Sequence, residues 1–198
     1  MDVAQYAAAT EVARRLAGRL SDDVVAVVQA QYAAGEPELA VAALLLNLVA
    51  EGVAVTAQEA TLIRSLTPDP TDPALADLAL ADTAPAPAYR FSPTGPPEAP
   101  DPTPVDEVLA TEAPLIGARR VRRAWRDPLP DAPNRPTWVY LVQVAPEVDE
   151  LRAYSTLTAH LWMRKQEKWP VEVIADGGLL PPYQAAAVTA ARQIWAAA

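Results

Sequence analysis

Residues 68–104 read PDPTDPALADLALADTAPAPAYRFSPTGPPEAPDPTP, and this stretch decides how the chain is divided. It holds 11 of the 21 prolines, six carboxylates and a single basic residue, Arg90. Proline fixes φ and lacks a backbone donor, so neither a sheet interior nor a long helix is expected at this density. On its N-terminal side lies Ala/Val/Leu-rich sequence with helical spacing, and on its C-terminal side lie all five tryptophans. The expected α+β organisation is an all-α bundle at residues 1–67, an acidic Pro-rich linker at 68–114 and an α+β domain at 115–198. Within the linker, Asp72-Pro73 can open a short helix ending near residue 82. Thr103-Pro104 can open another through residue 112, with Val105, Val108 and Leu109 on one side. Residues 83–104 are expected to be extended, and a protease is expected to cut first within residues 83–101.

Four short helices are expected before the linker. The first covers residues 3–19, with Gly18 weakening its end. Ser21, followed by Asp22 and Asp23, has the character of an N-cap with acids in the first turn, and Gly35 stops that second helix. Pro37 suits the first position of a third helix ending near Gly52, and Thr56-Ala-Gln-Glu59 has capping-box spacing for a fourth. The third helix carries Leu39, Ala42, Ala43, Leu46 and Val49 on one stripe and Val41, Leu44, Leu45 and Leu48 on the rest. It is apolar almost all round, as a helix at the centre of a bundle would be. A helix-turn-helix reading of residues 37–66 lacks basic and amide side chains, since the fourth helix offers only Gln58 and Arg64.

After residue 115 the period changes. Residues 119–127 and 137–145 read as strands, 147–168 as a long helix, 171–175 as a third strand and 181–196 as a last helix. The order β-β-α-β-α implies a small sheet covered by helices on one face, with Trp125, Trp138, Trp162, Trp169 and Trp195 in one core.

Composition narrows the function. There is no cysteine and one histidine, His160, so thiolate chemistry and a His-rich metal site within one chain are excluded, and no cofactor is expected. Arg outnumbers Lys by 14 to 2, which with the abundant Ala suggests a GC-rich bacterial genome. No apolar run approaches the roughly 20 residues of a membrane span. No basic residue precedes Glu11, unlike a secretory leader, so a cytoplasmic location is expected. The net charge is −9, and residues 68–114 alone carry one basic and nine acidic groups. That region repels nucleic acid and anionic membrane, so no membrane partner is expected.

The strongest charge feature is Arg119, Arg120, Arg122, Arg123 and Arg126. On a strand, Arg120, Arg122 and Arg126 share one face, and Arg119, Val121, Arg123 and Trp125 the other. Guanidinium groups beside an indole can hold phosphates and stack on a base. They can equally pair with the acidic groups that precede them, Asp101, Asp106, Glu107 and Glu112, or meet a protein partner. Tyr89 and Phe91 form the one aromatic patch of the linker and can anchor in a groove. Asp176-Gly177-Gly178 follows a strand but lacks a phosphate-loop pattern, and Pro181 and Pro182 remove amide donors there. The leading expectation is a non-catalytic protein-binding or adaptor protein. A nucleic-acid-associated protein using the arginine cluster is the alternative. A hydrolase or lyase built on Glu172, Asp176 and His160 is the second.

Overall fold

A computed structural model describes residues 3–166 and 169–197, and the chain divides into two units, Met1–Pro87 and Ala88–Ala198. The first unit has the four expected helices: α1 (Val3–Leu16), α2 (Asp22–Ala33), α3 (Pro37–Ala50) and α4 (Ala57–Leu66). Thr56 and Glu59 close the capping box, with Glu59 N donating to Thr56 Oγ1 at 3.2 Å and Thr56 N donating to Glu59 Oε2 at 2.8 Å. The Glu59 carboxylate is buried, and it also accepts from Arg19 Nη1 at 2.7 Å, so one acid ties the start of α4 to the turn after α1. Ser21 occupies the N-cap of α2 without a side-chain capping bond. Its hydroxyl donates to Glu51 Oε1 at 2.8 Å, joining the start of α2 to the end of α3.

The sequence expectation for α3 is corrected in one respect. Val41, Leu44, Leu45 and Leu48 are buried, whereas Leu39, Ala42, Leu46 and Val49 are exposed along the opposite face. Four helices of ten to fourteen residues supply too few neighbours to enclose one of their own number.

The first half of the proline-rich stretch belongs to this unit. Asp72 Oδ1 accepts from Ala74 N at 2.9 Å and opens a 3-10 turn, Pro73–Leu75. Leu75 and Leu78 are buried, and β1 (Val55–Thr56) pairs in parallel with β2 (Leu80–Ala81). The second half belongs to the other unit as β3 (Tyr89–Ser92) and α5 (Thr103–Glu112). The helix that Thr103-Pro104 announces is present, with Val105, Val108 and Leu109 buried. Only residues 82–88 join β2 to β3, and the stretch expected to be extended, residues 83–104, carries β3 and the start of α5.

The second unit is built on β4 (Ala118–Pro128), β5 (Thr137–Val144), α6 (Glu150–Met163), β6 (Val171–Ala175), α7 (Pro182–Ala190) and β7 (Arg192–Ala196). The sheet order is β3-β4-β5-β6, with β7 also on β4. β4 and β5 are antiparallel with Trp125 opposite Trp138, and β5 and β6 are parallel, linked by the α6 crossover. The last helix stops at Ala190, short of the expected residue 196, because residues 192–196 pair with β4 from Arg120 to Arg123. The four residues of β3 cover only Trp125–Pro128, and an open edge leaves amides and carbonyls unpaired, so β7 takes the remainder. α6 begins at Glu150, with Asp149 as N-cap, and ends at Met163. The expected end at residue 168 lies outside the described residues.

Helices cover both faces of the sheet, not one. Val121, Trp125, Trp138, Tyr140, Val142, Val171 and Val173 form a core with α5 and α6. The alternate residues Ala124, Arg126, Val139, Leu141 and Ile174 are also buried, and α7 lies over β3, β4 and β5 with Tyr183, Gln184 and Ala187 buried. Trp169 and Trp195 pack at the margin of the first core, while Trp162 is exposed.

The loop between β3 and α5 is held by aromatic side chains. Trp138 Nε1 donates to the Pro100 carbonyl at 2.8 Å, and a Cβ on Gly95 would meet Ala99 Cβ at 2.7 Å and Trp138 Cζ2 at 2.9 Å. Gly95→Val is therefore expected to destabilise the second unit by about 1–3 kcal/mol and to make residues 93–101 protease-sensitive. Urea unfolding read by tryptophan emission reports this unit alone, since every tryptophan lies in it. An unchanged midpoint and an uncut loop would contradict the packing.

Candidate functional site

Strand β4 distributes its arginines unequally. Arg119 and Arg120 are exposed, Arg122 is half-buried, and Arg123 and Arg126 are buried. Arg123 Nη1 pairs with Asp106 Oδ2, and its guanidinium lies 4.4 Å from the centre of the Trp138 ring. Asp106 Oδ1 accepts from the Tyr140 hydroxyl at 2.8 Å, and the Tyr140 ring stacks on Trp169 at 6.2 Å. Burial, then the Asp106 charge and its hydrogen bond, push the Tyr140 phenol well above its ordinary value. Asp106 is one of the acidic residues expected to clamp the arginines, and it clamps one of them.

Arg126 is fully buried. Nη1 donates to the Tyr183 hydroxyl at 3.0 Å, Nη2 donates to the Arg135 carbonyl at 3.2 Å, and the guanidinium lies 4.9 Å from the Tyr89 ring centre. The Tyr89 hydroxyl accepts from Asn134 Nδ2 at 3.0 Å, and Phe91 meets Tyr183 edge-on at 5.3 Å. Tyr89 and Phe91 thus help to hold α7 on the sheet and are not free to anchor in a groove. Of the sequence candidates, Arg126, Tyr89 and Phe91 come together, Arg123 serves the opposite face, and Arg119 and Arg120 remain at the surface. Trp125, the indole expected to stack on a base, is buried.

His160, Glu172 and Asp176 do not form one site. His160 Nδ1 lies 2.8 Å from Glu112 Oε1, a buried oxygen that Arg164 Nη2 reaches at 3.4 Å. Glu172 Oε2 instead accepts from Gln184 Nε2 at 3.0 Å beneath α7, and Asp176 is at the end of β6. Glu112 is the residue that sequence reasoning missed as the partner of His160. Its signal was legible, because it continues the stripe Val105, Val108, Leu109 on α5 and so places a carboxylate on the buried face. Such a pair orients an imidazole for proton transfer, but no hydroxyl is hydrogen-bonded to His160 among the described residues. The carboxylate also binds Arg164, so the group fastens α5 to α6.

An open groove of about 390 Å³ runs between α5 and β7, lined by Thr103, Asp106, Glu107, Arg123, Arg192 and Gln193 among others. Its inner charges, Asp106 and Arg123, neutralise each other. Hydrogen bonds from the Thr103 hydroxyl and amide hold the neighbouring Asp101 carboxyl below its ordinary value. Among the described residues, no group of three His, Asp or Glu could hold a metal ion.

The remaining feature is the outer side of the α2–α3 pair. Leu39 is 54% exposed, Leu46 69% and Val49 45%, with Val27 of α2 at 48%. Asp23, Glu36, Glu38 and Glu51 are exposed on the same two helices or at their ends. Residues 20–63 contain six carboxylates and no lysine or arginine. Compared with known proteins, the chain matches no family model, no curated protein and no solved structure.

The division of β4 into internal and surface arginines has a direct consequence for stability. Arg126→Met removes the buried hydrogen bonds to the Tyr183 hydroxyl and the Arg135 carbonyl and the guanidinium over the Tyr89 ring, and is expected to cost about 2–4 kcal/mol. Arg120→Ala is expected to stay within about 0.5 kcal/mol. Urea unfolding followed by tryptophan emission compares them, and equal losses would contradict the assignment.

Proposed function

We propose that this protein is a non-catalytic cytoplasmic adaptor that acts through protein–protein contacts, with the outward face of α3 as its contact surface. The observation that carries the reading is the stripe Leu39, Ala42, Leu46 and Val49, a second apolar face on a helix whose first face already fills the core. A surface helix normally shows one apolar stripe and a polar opposite side. Aliphatic side chains aligned on the solvent side gain nothing in the isolated chain and mark an interaction surface. The chemistry-bearing groups support the same reading. Arg123, Arg126, Glu112 and Glu172 are spent on internal pairs, and His160 shares its carboxylate with an arginine.

Leu39→Ser/Leu46→Ser removes the stripe without touching the buried face and is expected to leave unfolding within about 1 kcal/mol of the parent. Parent and variant are compared as baits in an extract of the native cell, and each captured protein is then purified and mixed with both. A partner that binds the parent and is lost with the variant is expected. Identical capture by the two, with equal affinity for every purified candidate, would overturn the assignment.

A further inference from the structure

Resting on that reading, we infer that the α3 face receives an amphipathic helix of a partner protein whose apolar stripe is flanked by lysine or arginine. The stripe follows helical spacing, at positions 39, 42, 46 and 49, so it runs along α3 and not across it. From Leu39 to Val49 it spans about 15 Å, which matches about three turns of a docked helix. Ala42 at its centre, with the half-buried Ala43 beside it, lets a second helix approach closely, while Leu39 and Leu46 stand on either side as knobs.

Charge selects the occupant. Glu36 and Glu38 stand at the N-terminal end of the stripe, and Asp23 lies on the exposed side of α2. Residues 20–63 carry no lysine or arginine, and Arg14, Arg15 and Arg19 are paired with Glu11 and Glu59. A second copy docking through the same face would set two acidic units against each other, and an anionic lipid surface would be repelled likewise. A cationic helix meets opposite charge at the N-terminal end of the stripe and along α2, which raises both association rate and specificity. The exposed aromatic on the other unit has the reverse character, since Trp162 and Met163 are followed by Arg164 and Lys165.

Three synthetic fourteen-residue helical peptides test this on the full chain by fluorescence anisotropy. One has leucine at helical spacing flanked by lysine, one has the same composition scrambled, and one has glutamate in place of lysine. The lysine helix is expected to bind, to weaken as salt is raised, and to lose at least about tenfold in affinity with Leu46→Ser. Glu36→Lys/Glu38→Lys is expected to shift preference towards the glutamate helix, with circular dichroism confirming that each variant remains folded. Equal binding of the scrambled peptide would overturn the proposal by reducing the contact to charge alone. Equal binding of the glutamate helix, still dependent on Leu46, would remove the cationic partner but keep α3 as the contact surface. A dimer in light scattering that Leu46→Ser dissociates would assign the face to a second copy instead. Loss of Leu46 dependence for every peptide, with the chain monomeric, would sink the contact surface together with the partner.

Discussion

Trp138 is held on two sides, by the Arg123 guanidinium over its ring and by the Pro100 carbonyl that accepts its indole proton. Arg123 in turn is neutralised by Asp106, which also takes the Tyr140 hydroxyl proton. Residues from β4, β5, α5 and the proline-rich loop meet in this one arrangement. Its parts need one another, because a buried guanidinium without its carboxylate or a buried indole N–H without an acceptor would each be costly. Once it forms, the loop carrying Pro93, Pro96, Pro97 and Pro100 packs over Trp125 and Trp138, and α5 is delivered onto the sheet. β3 and α5 are then part of the second unit's core. Prolines favour this use, since a segment already restricted in φ loses little further freedom on docking.

The buried polar groups divide the second unit into two differently built faces. Under α5 and α6 the core is mainly apolar, pinned by the Asp106 and Glu112 carboxylates of α5. Under α7 it is a polar and aromatic cluster around Arg126, with Tyr89, Phe91, Tyr183 and Asn134. Net charge, however, is concentrated in the first unit. Met1–Pro87 carries four basic and twelve acidic residues, whereas Ala88–Ala198 carries twelve and thirteen. The surface proposed for a partner therefore lies on the unit with the larger net charge, while Arg123 and Arg126 of β4 are held by internal partners.

What could be read beforehand was whatever local spacing determines. The Thr56/Glu59 box, Pro37 at the start of α3, the stripe of α5 and the β4–β5 pair all follow from neighbours within a few residues. The order of residues 89–101 could not be read that way, because Gly95 and Pro100 are fixed by Trp125 and Trp138, some 30 to 40 positions along the chain. β7 was hidden because an alanine-rich run continues unbroken into Arg192-Gln-Ile-Trp, and only the open edge of β4 gives those residues a partner. Arg126 was misplaced because a charged residue is ordinarily a surface residue. The exposed side of α3 was illegible for the opposite reason. A helix apolar all round carries no mark of which face meets solvent, and the choice is made by how many neighbours the fold supplies.

Backbone amide hydrogen exchange over residues 89–112 tests most directly whether the proline-rich half-segment is part of the core. The amides of β3 and α5 are expected to exchange as slowly as those of β5, and to lose protection together with them as urea is raised. Only residues 82–88, between β2 and β3, are expected to exchange freely. Rapid exchange throughout 89–112, with β5 still protected, would mean that the sheet folds without this segment and would contradict the account.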